Sequence, residues 1–577
     1  MKQKWLYFIC LVVIAAMVLT ACGGSAATAS KGPVPLPASP KTVTGSWTQE
    51  PDNVVPYYTT MSYADWIAQL TLAGLGKWND KNELIPELAT EIPSVENGGV
   101  SPDGLTITWK LKPNLLWSDG EPLTSADVKF TWEQVVDPAN GAVQTVGYDK
   151  VASIETPDNT TVVIKFKELF PPWQVMFTQG PNNAGAILPA HILKGKTGLN
   201  KDPFIRWPNV ASGAWVITDW VAGDHMQLLP NPNYFRGRPK LDQILIKFIP
   251  NPETTLAALQ TGDVDWYSDF SESDIETLSK LEPAIHLKVV PGSDFEHYGF
   301  TQGSVNPVVG QDPVESKSDQ DSPCYLKDYK FRKAVIYGIN RQAIVDALLM
   351  GKTTVPASQW PNSTWTNSSL VPEPFDPEKA KALLDEAGYK DTNGDGIREG
   401  TCDGKEVSLV VNFETTDKQI RVDIATAAQA DLKKIGIDFK LTFTPAGTFF
   451  GTYADSGKMA MGLDDMFGYT TGYYPDPYPS GGDWDCNLPN KDNAGGLNNY
   501  HVCDPKLVAL LADVNKSADP AVRKVAIDAV QQYIYDNSYV VMMYARANVY
   551  GIVDRFDPGP FGFMGNMYWA SETWTVK

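Results

Sequence analysis

Ser101-Pro-Asp-Gly-Leu-Thr-Ile-Thr-Trp-Lys-Leu-Lys-Pro-Asn-Leu-Leu-Trp-Ser-Asp-Gly-Glu-Pro-Leu-Thr-Ser-Ala-Asp-Val-Lys-Phe-Thr131 spells a turn, a strand, a second turn and a helix. Asp103-Gly104 readily takes positive φ. Leu105, Ile107, Trp109 and Leu111 then alternate with Thr106, Thr108 and Lys110, the period of a half-buried strand. A second turn falls at Asp119-Gly120. Thr124-Ser-Ala-Asp127 has the form of a capping box, and Val128, Trp132 and Val135 follow at helical spacing.

The wording of this stretch closely resembles the "DG-x-T-(x)-L-(x)-W-x-DG-x-P-L-T-A-x-DV-x-F" signature of the family 5 extracellular solute-binding proteins, the peptide, nickel and oligosaccharide receptors of ABC importers. The likeness recurs downstream. Leu229–Asp242 with Ala258–Asp265 resembles the family's "RNP-x-Y-W-x-G-x-P-x-LD … ALQ-x-G-x-VD", and Ala211–Trp215 is a looser match to its "GTGPY" turn. Tyr329–Arg341 resembles "D-x-R-VRQAL-x-YAIDR" and reads as a helix running to Gly351.

At the N-terminus, Lys2 and Lys4 precede an apolar run, Leu6 to Leu19, too short for a stop-transfer helix. Met1–Ala21 therefore reads as a signal peptide. Leu19-Thr20-Ala21-Cys22 resembles the bacterial lipobox, which implies a diacylated Cys22 and stable anchoring; an ordinary secretory signal with an incidental cysteine is the competing reading. Residues 22–42, rich in Ala, Ser and Pro, form a tether.

The net charge is −20 at pH 7, and losing Lys2 and Lys4 takes it to −22. Such a surface repels nucleic acid and anionic lipid. A chain of 577 residues exceeds what one hydrophobic core supports. Of six cysteines, Cys10 leaves with the signal and Cys22 is acylated. Cys324, Cys402, Cys486 and Cys503 remain, with three pairings open. Cys486–Cys503 is favoured because it closes a short loop, and Cys324–Cys402 follows by elimination. The absence of CxxC and HxxxH spacing argues against zinc.

Strands alternate with helices throughout: Val162–Phe166, Ile244–Phe248, a helix over Thr254–Thr261 ending at Gly262, and one opened by Asp376-Pro377. Val407–Phe413 and Ile437–Phe443 flank the helical stretch Lys418–Ile435 as one βαβ unit. Asp504-Pro505 and Asp519-Pro520 open two more helices before the strand Tyr539–Tyr544. The class is α/β. The resemblance implies a two-lobed, type II periplasmic-binding-protein fold with a small additional domain and a hinge of two crossing strands. It places lobe I at 43–85, 205–298 and 546–577, the accessory domain at 86–204 and lobe II at 299–545. The crossings are expected near Phe295–Gln302 and Met543–Val549.

Asp391-Thr-Asn-Gly-Asp-Gly-Ile-Arg-Glu399 starts like a calcium loop, but the twelfth position is Cys402 where a bidentate glutamate belongs. A tight turn is the favoured reading, and no metal or cofactor is expected. Five histidines (His191, His225, His286, His297, His501) lie in no recognisable nucleophile elbow, and no GxSxG occurs. The chain reads as a non-enzyme, with an exported hydrolase on the same scaffold as the rival class.

Met466-Phe-Gly-Tyr-Thr-Thr-Gly-Tyr-Tyr-Pro-Asp-Pro-Tyr-Pro-Ser-Gly-Gly-Asp-Trp-Asp485 is too rich in glycine, proline and aromatics for a helix and reads as a loop. It resembles the family's "GW-x-x-D-Y-x-DP" ligand loop, ending at Asp476-Pro477. In the peptide receptors the aspartate three residues before that pair holds the ligand's α-amino group; here Tyr473 stands there, beside Gly472. A tyrosine cannot neutralise an ammonium. Either another acid (Asp464, Asp465 or Asp476) takes the role, or the ligand has no amine there. By position, the expected ligand contacts are Tyr469, Thr470, Thr471, Gly472, Tyr473 and Asp476 from lobe II, Trp47, Thr48 and Phe270 from lobe I, and Tyr544 beside the hinge.

The resemblance thus implies a monomeric, lipid-anchored receptor on the outer face of the cell membrane, periplasmic where an outer membrane exists. It would capture a solute by lobe closure and deliver it to an ABC permease and ATPase. Short peptide is the first ligand class; oligosaccharide stacked on some of the seventeen tryptophans is the second.

Overall fold

The computed structural model describes residues 36–577 apart from 60, 181–182, 303–322, 454, 473–475, 478–482, 487, 490–495 and 563–565. The signal peptide, Cys22, most of the tether and Tyr473 therefore lie outside the described residues.

One sheet of ten strands runs through the molecule. In chain order these are β1 (Thr42–Trp47), β2 (Trp215–Val221), β3 (His225–Pro230), β4 (Gln243–Phe248), β5 (Trp266–Phe270), β6 (Ile285–Phe300), β7 (Val410–Thr416), β8 (Asp438–Thr444), β9 (Met466–Thr471) and β10 (Val540–Val553). Their spatial order is β8-β7-β9-β6-β10-β5-β1-β4-β3-β2. The sheet divides into two halves that share only the antiparallel pair β6 and β10. At 16 and 14 residues these are the longest strands, and β6 spans roughly 50 Å. The near half of β10 pairs with β5, while the far half of β6 pairs with β9. Two lobes joined by two crossing strands follow from that topology.

Register locates the crossing. Pro291 faces Ala547 and Phe295 faces Ala545, so Gly292, Ser293 and Asp294 stand opposite Arg546 alone. This is a β-bulge, which bends its strand and re-aims side chains. The first changeover thus falls at Pro291–Phe295, at the upstream edge of the expected segment. The second, Ala545–Ala547, lies inside the expected one.

Each lobe has its own core. Trp47, Trp215, Trp266 and Trp574 pack under β1–β5. Around β7–β9, Phe413, Ile424, Leu432 and Met466 fill one face, and Phe467, Trp484, Tyr500 and Ile527 fill the other. A further core, including Trp109, Trp117, Val128 and Ile164, belongs to the additional small domain and its neighbours. There the opening stretch folds as its turns and cap dictate. Gly104 and Gly120 take φ of 70° and 91°, Thr106–Lys110 is a strand, and Thr124 with Asp127 closes a capping box on helix Ser125–Val136. Strands Val410–Thr416 and Asp438–Thr444 pair in parallel across helix Gln419–Lys433.

Two elements differ from expectation. The helix expected to run from Tyr329 to Gly351 is broken into Tyr329–Gly338 and Arg341–Leu348. Ile339 is extended, and the Asn340 side chain accepts from the Ala343 N–H as a fresh N-cap. The segment read as a loop from Met466 begins as β9, a central strand paired with β6 and β7. Gly468 permits this: a Cβ there would sit 2.7 Å from Phe413 Cζ and 2.9 Å from Tyr298 Cδ1. Disulfides join Cys324 to Cys402 and Cys486 to Cys503, with Cα separations of 5.9 and 4.7 Å. Among the described residues no helix is long and apolar enough to cross a membrane.

Candidate functional site

Charged and polar side chains from five segments meet where the strands cross. β6 contributes Glu296 and, on its bulge, Asp294. Arg546 comes from β10, Thr470 from β9, and Glu272 from the turn after β5. The first turn of helix Gln419–Lys433 brings Arg421. Arg546 holds Glu272 through Nε and Nη2 (the latter 2.9 Å to Oε2), and its Nη1 donates to Thr470 Oγ1 at 2.8 Å. Arg421 Nε donates to Glu296 Oε1 at 2.8 Å, and its Nη2 lies 3.1 Å from Thr470 Oγ1, which itself donates to Glu296. Glu272 and Glu296 are almost fully buried. Charge-assisted bonds at this density satisfy groups that burial alone would penalise. The set ties lobe I (Glu272) to lobe II (Thr470, Glu296, Arg421) through Arg546.

Asp294 stands apart from this satisfied network. Its Oδ1 is buried with no hydrogen-bond partner and lies 2.6 Å from where a Cβ on Gly472 would be. Burial pushes its carboxyl up to about 6, Arg546 draws it down and Glu272 pushes it up. Lys418, the residue before the same helix as Arg421, keeps part of its surface in solvent; the burial of the rest and Arg546 push it down. Asp269 is on β5, in lobe I. Its Oδ2 accepts from Tyr63 Oη (2.7 Å) and from the Thr48 N–H and Oγ1 (both 3.1 Å). Burial raises its carboxyl, and those bonds work against the rise.

Of the contacts expected from sequence, Thr470 and Gly472 come to this region, Thr471 is buried next to Thr470, and Thr48 bonds Asp269 on lobe I. The aromatic contacts do not present faces to a ligand. Trp47 is wholly buried, donating from Nε1 to Tyr568 Oη at 2.9 Å. Phe270 packs edge-on to Tyr267. Tyr469 is buried against His297, ring centroids 4.5 Å apart, and Tyr544 is buried in the lobe II core. Alternation in a two-sided sheet puts these rings into the cores. Asp476 is likewise taken up: both carboxylate oxygens bind the Arg523 guanidinium, one at 2.7 Å, within the protein. Asp465 is buried and accepts from the Asn412 N–H and side chain, and Asp464 has interactions of its own. Glu272, Asp294, Glu296, Arg421 and Arg546 were not read from the sequence, since they come from scattered segments; Pro291-Gly-Ser-Asp294, a turn-like run within a strand, is the one signal that could have found them.

His297, on β6, has its imidazole pushed down to about 3 by burial and is bonded through Nε2 to Tyr500 Oη at 2.7 Å. It is therefore neutral and held in the core.

In the Asp391–Glu399 loop the carboxylate oxygens of Asp391, Asp395 and Glu399 lie within 4.8 Å of one another. They are engaged in turn geometry. Asp391 accepts from the N–H groups of Gly394 and Gly396, and Glu399 accepts from Thr392 and Asn393. Cys402 is in a disulfide. Calorimetric titration with calcium to millimolar concentration is expected to give no binding heat; a saturable exotherm lost in Glu399→Gln would reverse that.

Residues 83–487 match the model of the bacterial extracellular solute-binding proteins, family 5 Middle. A provisionally named ABC transporter peptide-binding protein of Brucella ovis is 30% identical over 349 residues, 59% of this chain and 57% of that one, so the match spans little more than half of that relative. The oligopeptide-binding protein AppA of Bacillus subtilis is 28% identical over 447 residues, 76% of each chain. Its structure in complex with a nonapeptide superposes with a TM-score of 0.66 at 22% identity, covering 93% of this chain and all of that one. NikZ of Campylobacter jejuni, crystallised with Ni(L-His), gives 0.69 at 23% identity, again over 93% of this chain and all of the other.

Proposed function

This chain belongs to the family 5 bacterial extracellular solute-binding proteins, and we propose that it captures a short peptide between its two lobes and delivers it to an ABC permease. The observation that carries the ligand class is the makeup of the crossing. It is charged, with both signs and many oriented donors and acceptors, whereas Trp47, Phe270, Tyr469 and Tyr544 have their ring faces packed away. A stacked sugar needs open aromatic faces. A peptide, with a charge at each end and amides between, suits a floor of guanidinium and carboxylate groups. The names of the Brucella and Bacillus relatives point the same way. Lobe closure selects the bound state because ligand touches both halves only when shut.

We extend the proposal to the anchor: acylation at Cys22, with residues 22–42 as tether, would hold the monomeric receptor at the outer membrane face. The division into lobe I (43–85, 205–298, 546–577), accessory domain (86–204) and lobe II (299–545) belongs to the same reading, with the boundary on β6 drawn back to the Pro291–Phe295 changeover so that Glu296 counts with lobe II. Turnover of ligand is not expected.

A thermal-shift screen of peptide pools against cello- and xylo-oligosaccharides tests the ligand class. Peptides are expected to raise the melting temperature in a concentration-dependent way. A rise with a sugar and none with peptides would overturn the reading.

A further inference from the structure

Resting on the peptide reading, we propose that Asp294 is the residue that receives the ligand's primary ammonium group, presented to the cleft by the Gly292–Asp294 bulge. Three observations converge. The bulge interrupts the long β6–β10 ladder at the changeover between lobes, so Asp294 leaves the ladder where a closing ligand must lie. Two polar atoms of this bulge, Asp294 Oδ1 and Ser293 Oγ, are buried without a hydrogen-bond partner. A buried carboxylate in that condition is costly unless a cation completes it.

The third observation is where the guanidinium donors go. Arg546 spends its N–H groups on Glu272 and Thr470, and Arg421 spends its own on Glu296, Thr416 and Thr470. Glu272, Asp294 and Glu296 thus face two guanidinium groups, and the carboxylate left over is Asp294. Lys418 is exposed and interacts with Glu272 and Glu296 across the crevice. None of these cations bonds Asp294 Oδ1, and a ligand ammonium supplies the N–H donor that this oxygen lacks.

Gly472 makes room for this. Its missing side chain lets the end of β9 pack directly against the Asp294 carboxylate, since a Cβ would come within 2.6 Å of Oδ1. The acid that the related ligand loops carry on the β9 side is here on the crossing strand, so ammonium recognition is tied to the bulge itself.

The test uses full-length protein, a synthetic pool of random tetrapeptides with free N-termini and the same pool N-acetylated, read by thermal shift and calorimetry. Wild type is expected to bind the free pool at least tenfold better than the acetylated one. Asp294→Asn is expected to lose that preference, binding both pools alike with the free pool weakened tenfold or more. Gly472→Ala, which crowds the carboxylate without removing it, should weaken the free pool in the same sense and serves if the asparagine variant does not fold. Retention of the full preference by both variants would overturn the assignment while leaving the peptide reading in place. No response of wild type to either pool would remove the peptide reading and the assignment with it.

Discussion

Asp476→Ala is expected to lower the free energy of unfolding by about 3–5 kcal/mol while leaving ligand affinity little changed. The Asp476 carboxylate and the Arg523 guanidinium are both nearly fully buried, at 5% and 3% exposure. The guanidinium sits over the Trp365 ring, and its Nε donates to the Val514 carbonyl at 3.2 Å. Truncating the carboxylate strands a positive charge in a place that excludes water, and the penalty is that of the unpaired charge rather than of one lost contact. Because the charge itself is the source of the cost, the double variant Asp476→Ala/Arg523→Met should recover most of the stability. Urea denaturation of the two singles and the double measures the coupling. Undiminished stability together with lost affinity would return Asp476 to the ligand contacts.

That aspartate shows why the fold was more legible than the site. The capping box at Thr124 and Asp127, the Asp-Pro helix starts at 376, 504 and 519, and the alternation of Ile244, Ile246 and Phe248 are local chemistry, satisfied within a few residues. The family signatures add the two-lobed arrangement. Asn340 shows where a local signal was present but outweighed: Asn-Arg-Gln-Ala is a good N-cap, yet the apolar period on both sides reads as one continuous helix. β9 was harder. Gly468, Thr470 and Thr471 look like loop residues, and only Glu296, Arg421 and Arg546, each far away in the chain, satisfy Thr470 inside a central strand. Charges that are paired across the sheet leave no spacing to read. For the same reason the aromatic residues near the crossing were assigned to the ligand from position alone, when the pleat turns their rings into the two cores.

The Arg546 guanidinium is the single side chain bonded to both lobes at the crossing, among the described residues of this cluster, and Arg546→Met is expected both to destabilise the protein and to loosen the lobes. Glu272 would keep only a 3.3 Å bond from the Ala547 N–H, and a carboxylate that is 1% exposed would be left without its counter-ion. The cost is about 3 kcal/mol. Thr470 and Glu296 retain Arg421, so lobe II holds together and the loss falls on the link to lobe I. Ligand-free Arg546→Met is therefore expected to show a larger radius of gyration by small-angle scattering and faster amide exchange at 291–295 and 545–547. Arg421→Met is the control. It breaks an ion pair of comparable burial between helix Gln419–Lys433 and β6, so it should lose stability without widening the scattering profile. Adding Glu272→Gln to Arg546→Met should restore much of the stability but not the compact profile, because the stranded charge is gone while the lobes stay unlinked. Identical profiles for Arg546→Met, Arg421→Met and wild type would mean that the guanidinium supports the strands locally and that the lobes are held at this distance by other contacts, the backbone ladder of β6 and β10 and the Asn82–Thr364 bond among them.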